Sequence, residues 1–201
     1  VLDNVSLTVT EGENLVVFGQ SGTGKSVLLK CMVGLLVPDA GEIYIDGTNV
    51  LNLEPKELND VRKNLGFLFQ GAALYDSMSV RENLEFPLIR HFNFTSGERE
   101  AKVKSVLEKV SLEEAIDKMP SELSGGMKKR IGLARSIITE PRLMLYDEPT
   151  TGLDPITSKE ISSLILELQK SLKMTSIIVT HDLLCAEIIA DRAIVLNEGV
   201  V

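Results

Sequence analysis

Residues 19–26 read GQSGTGKS and satisfy the spacing G-x-x-x-x-G-K-[ST]. Gly19, Gln20, Ser21, Gly22, Thr23 and Gly24 form a turn whose glycines let successive backbone N–H groups converge, an arrangement suited to a phosphate. Lys25 supplies a cation for the outer phosphates, and the Ser26 hydroxyl is a ligand for Mg²⁺. Val27 opens a helix, expected to reach Leu36, whose first N–H groups add partial positive charge. An apolar run, NLVVF at 14–18, leads directly into the loop, so strand, loop and helix follow in the order this chemistry needs. The chemistry is binding of a nucleoside triphosphate with its metal.

Asp147 and Glu148 end a second apolar run, RLMLYDE. Neighbouring side chains on a strand point to opposite faces, so the two carboxylates can do different work. Asp147 suits Mg²⁺, held through water, and Glu148 suits a general base for an attacking water. His181 follows TSIIVT and Gln70 follows LGFLF. Both lie at the C-terminal ends of strands, where α/β sheets place ligands. Gln70 there could ligate Mg²⁺ or position water. No N/T-K-x-D guanine signature is present, which favours ATP.

A second glycine-rich helix start is LSGGMKKR at 123–130. Ser124 can cap the helix, while Gly125 and Gly126 leave its first N–H groups uncovered. Lys128, Lys129 and Arg130 then crowd the first turn, where cations oppose the helix dipole by about 0.3–1 kcal/mol each. A bound anion would relieve this, and a solvated basic face would also account for it. Met127 fits an apolar stripe with Ile131, Ala134 and Ile138.

The elements that must hold these residues alternate between strand and helix. LDNVSLTV at 2–9 alternates Val5, Leu7 and Val9 against polar neighbours, as a half-exposed strand does. EIYI at 42–45 is a short strand between turns. From 71 to 139 the pattern turns helical through VRENLEFPL, SGEREAKVKSVLEKV and LEEAIDKM, with Ser96 as a helix start. Buried strands return at RLMLYDE, TSIIVTHD and RAIVLNEG. The expected fold is α/β: a P-loop core with an antiparallel β-subdomain over 1–70 and 140–201, and an inserted α-helical subdomain over 71–139. All of 1–201 would be one domain, cut short at both edges.

A net charge of −8 argues against a general nucleic-acid binder. Cys31 and Cys185 lie in apolar helical patterns and read as buried free thiols, and two histidines exclude a histidine-rich metal site. The most apolar long stretch, 176–196, contains His181, Asp182, Glu187, Asp191 and Arg192 and is too polar to span a bilayer.

Together these motifs resemble the nucleotide-binding domain of ABC ATPases over nearly the whole chain. By that resemblance LSGGM is the signature, Gln70 the Q-loop glutamine, GLDP at 152–155 the D-loop with Asp154, and His181 the switch histidine. The resemblance implies a head-to-tail dimer with a second copy. Each ATP, with Mg²⁺, would lie between one chain's P-loop and the partner's Ser124, Gly125 and Gly126, and the dimer would drive an integral membrane permease. FLFQGAALYDSMSVRENLEFPL, LSGGMKKRIGLARSI and YDEPTTGLDPITSKEI further resemble ATPases of Mla/Mce-type lipid transport. That implies a lipid-binding MCE-type partner, a place on the cytoplasmic face of the inner membrane, and a coupling-helix groove at ALYDSMSV. Rival readings are an amino-acid or small-solute importer ATPase and a non-transport ABC ATPase. Against the repair and chromosome types, only 53 residues separate Gln70 from Ser124, too few for their long coiled coils. Met127 replaces the usual signature glutamine, and the adenine-stacking aromatic is expected upstream of this chain.

Overall fold

A computed structural model describes residues 1–201. Its centre is a five-stranded parallel sheet in the order β4-β5-β6-β1-β7. The strands are β1 (Asn14–Phe18), β4 (Leu65–Leu68), β5 (Leu143–Asp147), β6 (Thr175–Thr180) and β7 (Arg192–Val195). The apolar runs are continuous because both faces of the sheet are covered. Val17, Leu145, Ile177 and Val179 share one core with α1 (Lys25–Met32). Val16, Met144, Tyr146 and Ile178 share the other with the remaining large helices. Adjacent residues on each strand therefore serve opposite cores, as the two-residue period requires.

Helices α3 (Val80–His91), α4 (Ser96–Lys109) and α5 (Gly125–Ile137) make up the helical region. Their apolar positions, among them Leu84, Val103, Leu107 and Ile131, join one continuous core with α6 (Pro155–Leu172) and α7 (Leu183–Ile189). Capping boxes start α3 (Ser79 with Glu82) and α4 (Thr95 with Glu98). The cap of α4 is thus Thr95, one residue before the Ser96 expected. Both cysteines are buried and free, and no helix is long and apolar enough to cross a membrane.

Residues 2–9 are not a strand. Leu2, Val5, Leu7 and Val9 do face the α1 core, so the alternation identified the face correctly. No neighbouring strand pairs with this segment: its one backbone bond to another segment joins the Asp3 N–H to the Gly199 carbonyl. The antiparallel sheet is only β2 (Tyr44–Ile45) with β3 (Thr48–Asn49). Asp46 and Gly47 between them both have positive φ, the conformation a tight two-residue hairpin turn needs. Helix α1 ends at Met32, short of Leu36, because Gly34 turns left-handed (φ 67°). Arg62, at the end of α2 (Pro55–Arg62), then takes the Val33 and Gly34 carbonyls at 2.9 and 3.0 Å. LEEAIDKM forms only a single 3₁₀ turn at Glu113–Ala115, because the preceding Ser111 is left-handed.

Candidate functional site

Four adjacent strands, β4, β5, β6 and β1, deliver Gln70, Glu148, His181 and the 19–24 loop from their C-terminal ends. Gly22 and Gly24 have φ of 87° and 102°, which only glycine adopts without strain. A Cβ at Gly19 would meet the Leu196 carbonyl oxygen at 2.5 Å, so the loop can lie against β7 only with glycine there. Helix α1 has neither an acidic residue nor a side-chain cap in its first turn. Its orphan N–H groups are open to an anion.

Lys25 is buried, and its ammonium donates to the carbonyls of Gly19 (2.7 Å) and Gln20 (2.9 Å). It also pairs with Glu148 Oε1 at 3.2 Å. The other carboxylate oxygen, Glu148 Oε2, lies 2.8 Å from His181 Nδ1 and accepts from the Thr151 hydroxyl at 3.2 Å. Beside this group the Ser26 hydroxyl donates to Asp147 Oδ1 at 2.7 Å. Asp147 and Glu148 do part company, but by a different cause from strand alternation. The strand ends at Asp147, and Glu148 is left-handed (φ 49°) with its N–H on the Val179 carbonyl. That conformation costs a non-glycine residue about 1–2 kcal/mol and turns the carboxylate toward Lys25 and His181.

Two further residues steady this cluster. Asp182 caps α7 through the N–H groups of Leu184 and Cys185, and accepts from the Thr150 hydroxyl at 2.7 Å. The residue next to His181 is thereby tied to the segment after Glu148. Sequence reasoning missed Thr150, Thr151 and Asp182. The Ser/Thr/Asp signal for a helix start at Asp182 was legible, whereas its bond to Thr150, 32 residues away, was not. Gln70 lies at the end of the neighbouring strand with its side chain exposed, outside the hydrogen-bonded cluster.

The second glycine-rich start also begins a helix, α5. Ser124 Oγ accepts from the Met127 N–H at 3.2 Å, and no acidic residue occupies the first turn. Helix α6 begins alongside, capped by Asp154 through the N–H groups of Ile156 and Thr157. The Thr157 hydroxyl and then these N–H groups hold the Asp154 carboxyl below its ordinary value. Close approach of the two starts requires glycine, since a Cβ at Gly126 would meet Thr157 Cγ2 at 2.8 Å. Between them opens a recess of about 430 Å³ lined by Ser124, Gly125, Gly126, Arg130 and Asp154, with no residue of the 19–26 loop. One chain thus carries two separate anion-suited helix starts.

The expected crowd of cations at the second start is not there. Lys129 is buried and turned away, donating to the backbone carbonyls of Gln70 and Glu148. Desolvation pulls its pKa down to about 8 against the opposing pull of Asp147 and Glu148. Arg130 pairs with Glu160 at 3.1 Å and donates to the Val110 carbonyl. Only Lys128 keeps a free ammonium, so an anion here would rest on backbone N–H groups and the Ser124 hydroxyl. Met127 packs on the core that contains Ile131, Ala134 and Ile138.

A groove of about 310 Å³ lies beside the β4 edge, with Phe67, Phe69, Tyr75, Phe86 and Arg135 in its wall. Phe67 and Phe69 rings are 4.2 Å apart, Tyr75 and Phe86 rings 5.0 Å. The Arg135 guanidinium lies 5.5 Å from the Tyr75 ring centre and donates to the carbonyls of Ala72 (3.0 Å) and Ala73 (2.8 Å).

This geometry has relatives. The chain is 43% identical over 198 residues to an intermembrane phospholipid transport system ATP-binding protein, MlaF, of Haemophilus influenzae, covering 98% of this chain and 75% of that protein. It is 42% identical over 192 residues to a probable ribonucleotide transport ATP-binding protein, mkl, of Mycobacterium bovis, covering 96% of this chain and 54% of mkl. A methionine import ATP-binding protein, MetN, of Carboxydothermus hydrogenoformans is 40% identical over 198 residues, 98% of this chain and 58% of its own. The chain therefore spans about half the length of some of the curated relatives it matches. Among solved structures, the dimeric ATP-binding cassette MJ0796 in a post-hydrolysis state bound to ADP and Pi superposes with a TM-score of 0.90. It is 35% identical, and the match covers all of this chain and 88% of that one. The family model described as ABC transporter matches residues 2–151, and this chain belongs to that family.

Proposed function

We propose that this chain is the ATP-hydrolysing subunit of a transporter. The observation that carries the proposal is the Glu148 carboxylate between the loop lysine Lys25 and His181, beside the Ser26–Asp147 pair. Residues 19–27 bind the phosphates, with Lys25 on the outer ones. Ser26 and Asp147 offer hard oxygen donors to Mg²⁺. The chain gathers no three-residue histidine, cysteine or carboxylate cluster, which suits an ion that keeps several waters and takes the rest of its shell from phosphates. When bound, the ion offsets phosphate charge. Glu148 takes a proton from the attacking water, His181 steadies the Glu148 carboxylate, and Gln70 would offer its amide to the metal or to the water.

Ser124, Gly125 and Gly126 lie in a recess that contains no residue of the 19–26 loop, which favours a site shared by two copies. One copy's α5 start grips the outer phosphate held by the other copy's loop, with Asp154 at the same junction. The dimeric neighbour supports this pairing. The aromatic groove beside Tyr75 is the proposed docking place of a permease segment, and the cytoplasmic face of the membrane is the proposed location. Phospholipid is the proposed cargo and an MCE-type lipid-binding protein the proposed partner, on the likeness to MlaF. Relatives of similar identity named for other cargoes make the cargo the part to test. Purification of the native complex, with mass spectrometry of its proteins and lipids, tests it: phospholipid and an MCE-type protein are expected, and a polar-solute-binding protein would refute the lipid assignment. For the catalytic reading, Glu148→Gln with ATP is expected to give a dimer by light scattering and almost no phosphate release. Wild-type release by that variant would contradict the base assignment.

A further inference from the structure

The buried lysine of the second helix start is turned toward backbone carbonyls at the strand ends of its own chain. Lys129 lies one turn beyond Ser124 and Gly125 on α5, and its ammonium donates to the carbonyl oxygens of Gln70 and, at 3.3 Å, of Glu148. These two carbonyls lie just past the ends of the neighbouring parallel strands β4 and β5. Glu148 stays tied to β6 by its N–H but is left-handed, so strand pairing does not aim its carbonyl. Arg135, further along α5, holds the carbonyls of Ala72 and Ala73, both also left-handed. The segment 70–73 is thus fastened to α5, while residue 148 is held from two sides, its N–H on the Val179 carbonyl of β6 and its carbonyl by Lys129 and the Thr151 N–H.

We infer that Lys129 is a positioning residue: its ammonium sets the backbones of Gln70 and Glu148, and so the aim of their side chains at the reacting phosphate. The inference rests on the roles proposed above for Glu148 and Gln70. Lys129 acts through these two backbone carbonyls.

The test is steady-state ATP hydrolysis and thermal melting of the purified chain with Lys129→Met, Lys129→Gln and Lys129→Arg. Lys129→Met removes the donors. It is expected to lower kcat about 10- to 100-fold, the scale of a misplaced catalytic group, with KM for ATP within about threefold. Lys129→Gln keeps an amide donor that stops one atom short, and should show the same split more mildly. Lys129→Arg keeps both reach and charge, and should recover most of the lost kcat. In a Glu148→Ala background, adding Lys129→Met should cost clearly less than it does in wild type, because the part acting through Glu148 is already lost. If Lys129→Met does not melt cooperatively, the split is read from Lys129→Gln. A wild-type kcat in either folded variant would overturn the inference, as would kcat, KM and melting temperature falling together. Both failures differ from failure of the proposed function, in which wild type would not hydrolyse ATP or Glu148→Gln would remain active.

Discussion

Lys25 Nζ and Glu148 Oε1 form a buried ion pair, 3.2 Å apart, between the phosphate loop and the end of β5. The two are 123 positions apart, and β6 separates their strands in the sheet. The ammonium that an outer phosphate would use is held by the carboxylate that would activate water. Both groups are almost wholly buried, so each depends strongly on the other.

That pairing predicts a separation of binding from turnover. Glu148→Gln leaves Lys25 with the Gly19 and Gln20 carbonyls but no counter-charge, so an incoming phosphate meets a less committed cation. ATP should bind about as tightly or several-fold more tightly, while turnover falls by about 10²-fold or more, the contribution of a general base. Titration calorimetry and a phosphate-release assay on one preparation check both halves. Weaker ATP binding in Glu148→Gln would contradict the pairing as described.

Glycine positions predict stability changes of opposite sign. A Cβ at Gly66 in β4 would run into Met144 Sδ and meet the Ser136 carbonyl oxygen of α5 at 2.5 Å. Backbone of a packed helix does not yield cheaply, so Gly66→Ala should cost about 1–3 kcal/mol. At roughly 2–4 °C per kcal/mol for a chain of this size, thermal melting resolves that. Gly97, in the first turn of α4, has open space around its Cβ position. Gly97→Ala there should be neutral or stabilising by up to ~1 kcal/mol.

Acid should weaken one tie at the far end of the sheet. Glu13, just before β1, pairs with Arg192 of β7 at 2.6 Å. The Arg192 hydrogen bond, then the Thr10 N–H, hold its carboxyl below the ordinary glutamate value. A lowered pKa in the fold means stability present above the unfolded value, near 4.3, and lost as pH falls through the folded value. Glu13→Gln should therefore lose up to about 1 kcal/mol at neutral pH, as surface pairs do. The gap to wild type should narrow once the pH falls below the unfolded value. Urea melts at pH 7 and pH 3.5 check this; a gap that widens in acid would have the wrong sign.

What the sequence disclosed was what neighbours in sequence determine. The 19–26 loop, its strand and its helix are one contiguous stretch, so their order and the phosphate role proposed for them could be read from spacing alone. Val5, Leu7 and Val9 disclosed a face but not a pairing, since a strand needs a partner that alternation does not name. Glu148 was legible as a strand-end carboxylate, yet its left-handed turn was not, because Val179, Lys25 and His181 come from distant segments. Lys129 was misread for the same reason. Position alone put it in a basic first turn, and only packing of α5 against the ends of β4 and β5 shows it turned inward.

The central claim is that one site is built from two chains, and mixing two inactive variants tests it. Lys25→Ala should disable the phosphate loop while leaving the Ser124 start intact. Ser124→Arg should block the α5 start while leaving ATP binding by the monomer intact. In a head-to-tail pair of one with the other, the Ser124→Arg chain's loop faces the Lys25→Ala chain's intact α5, restoring one whole site. Phosphate release from the equimolar mixture should therefore clearly exceed that of either variant alone at the same total concentration. A mixture no more active than its components would contradict a site shared between copies.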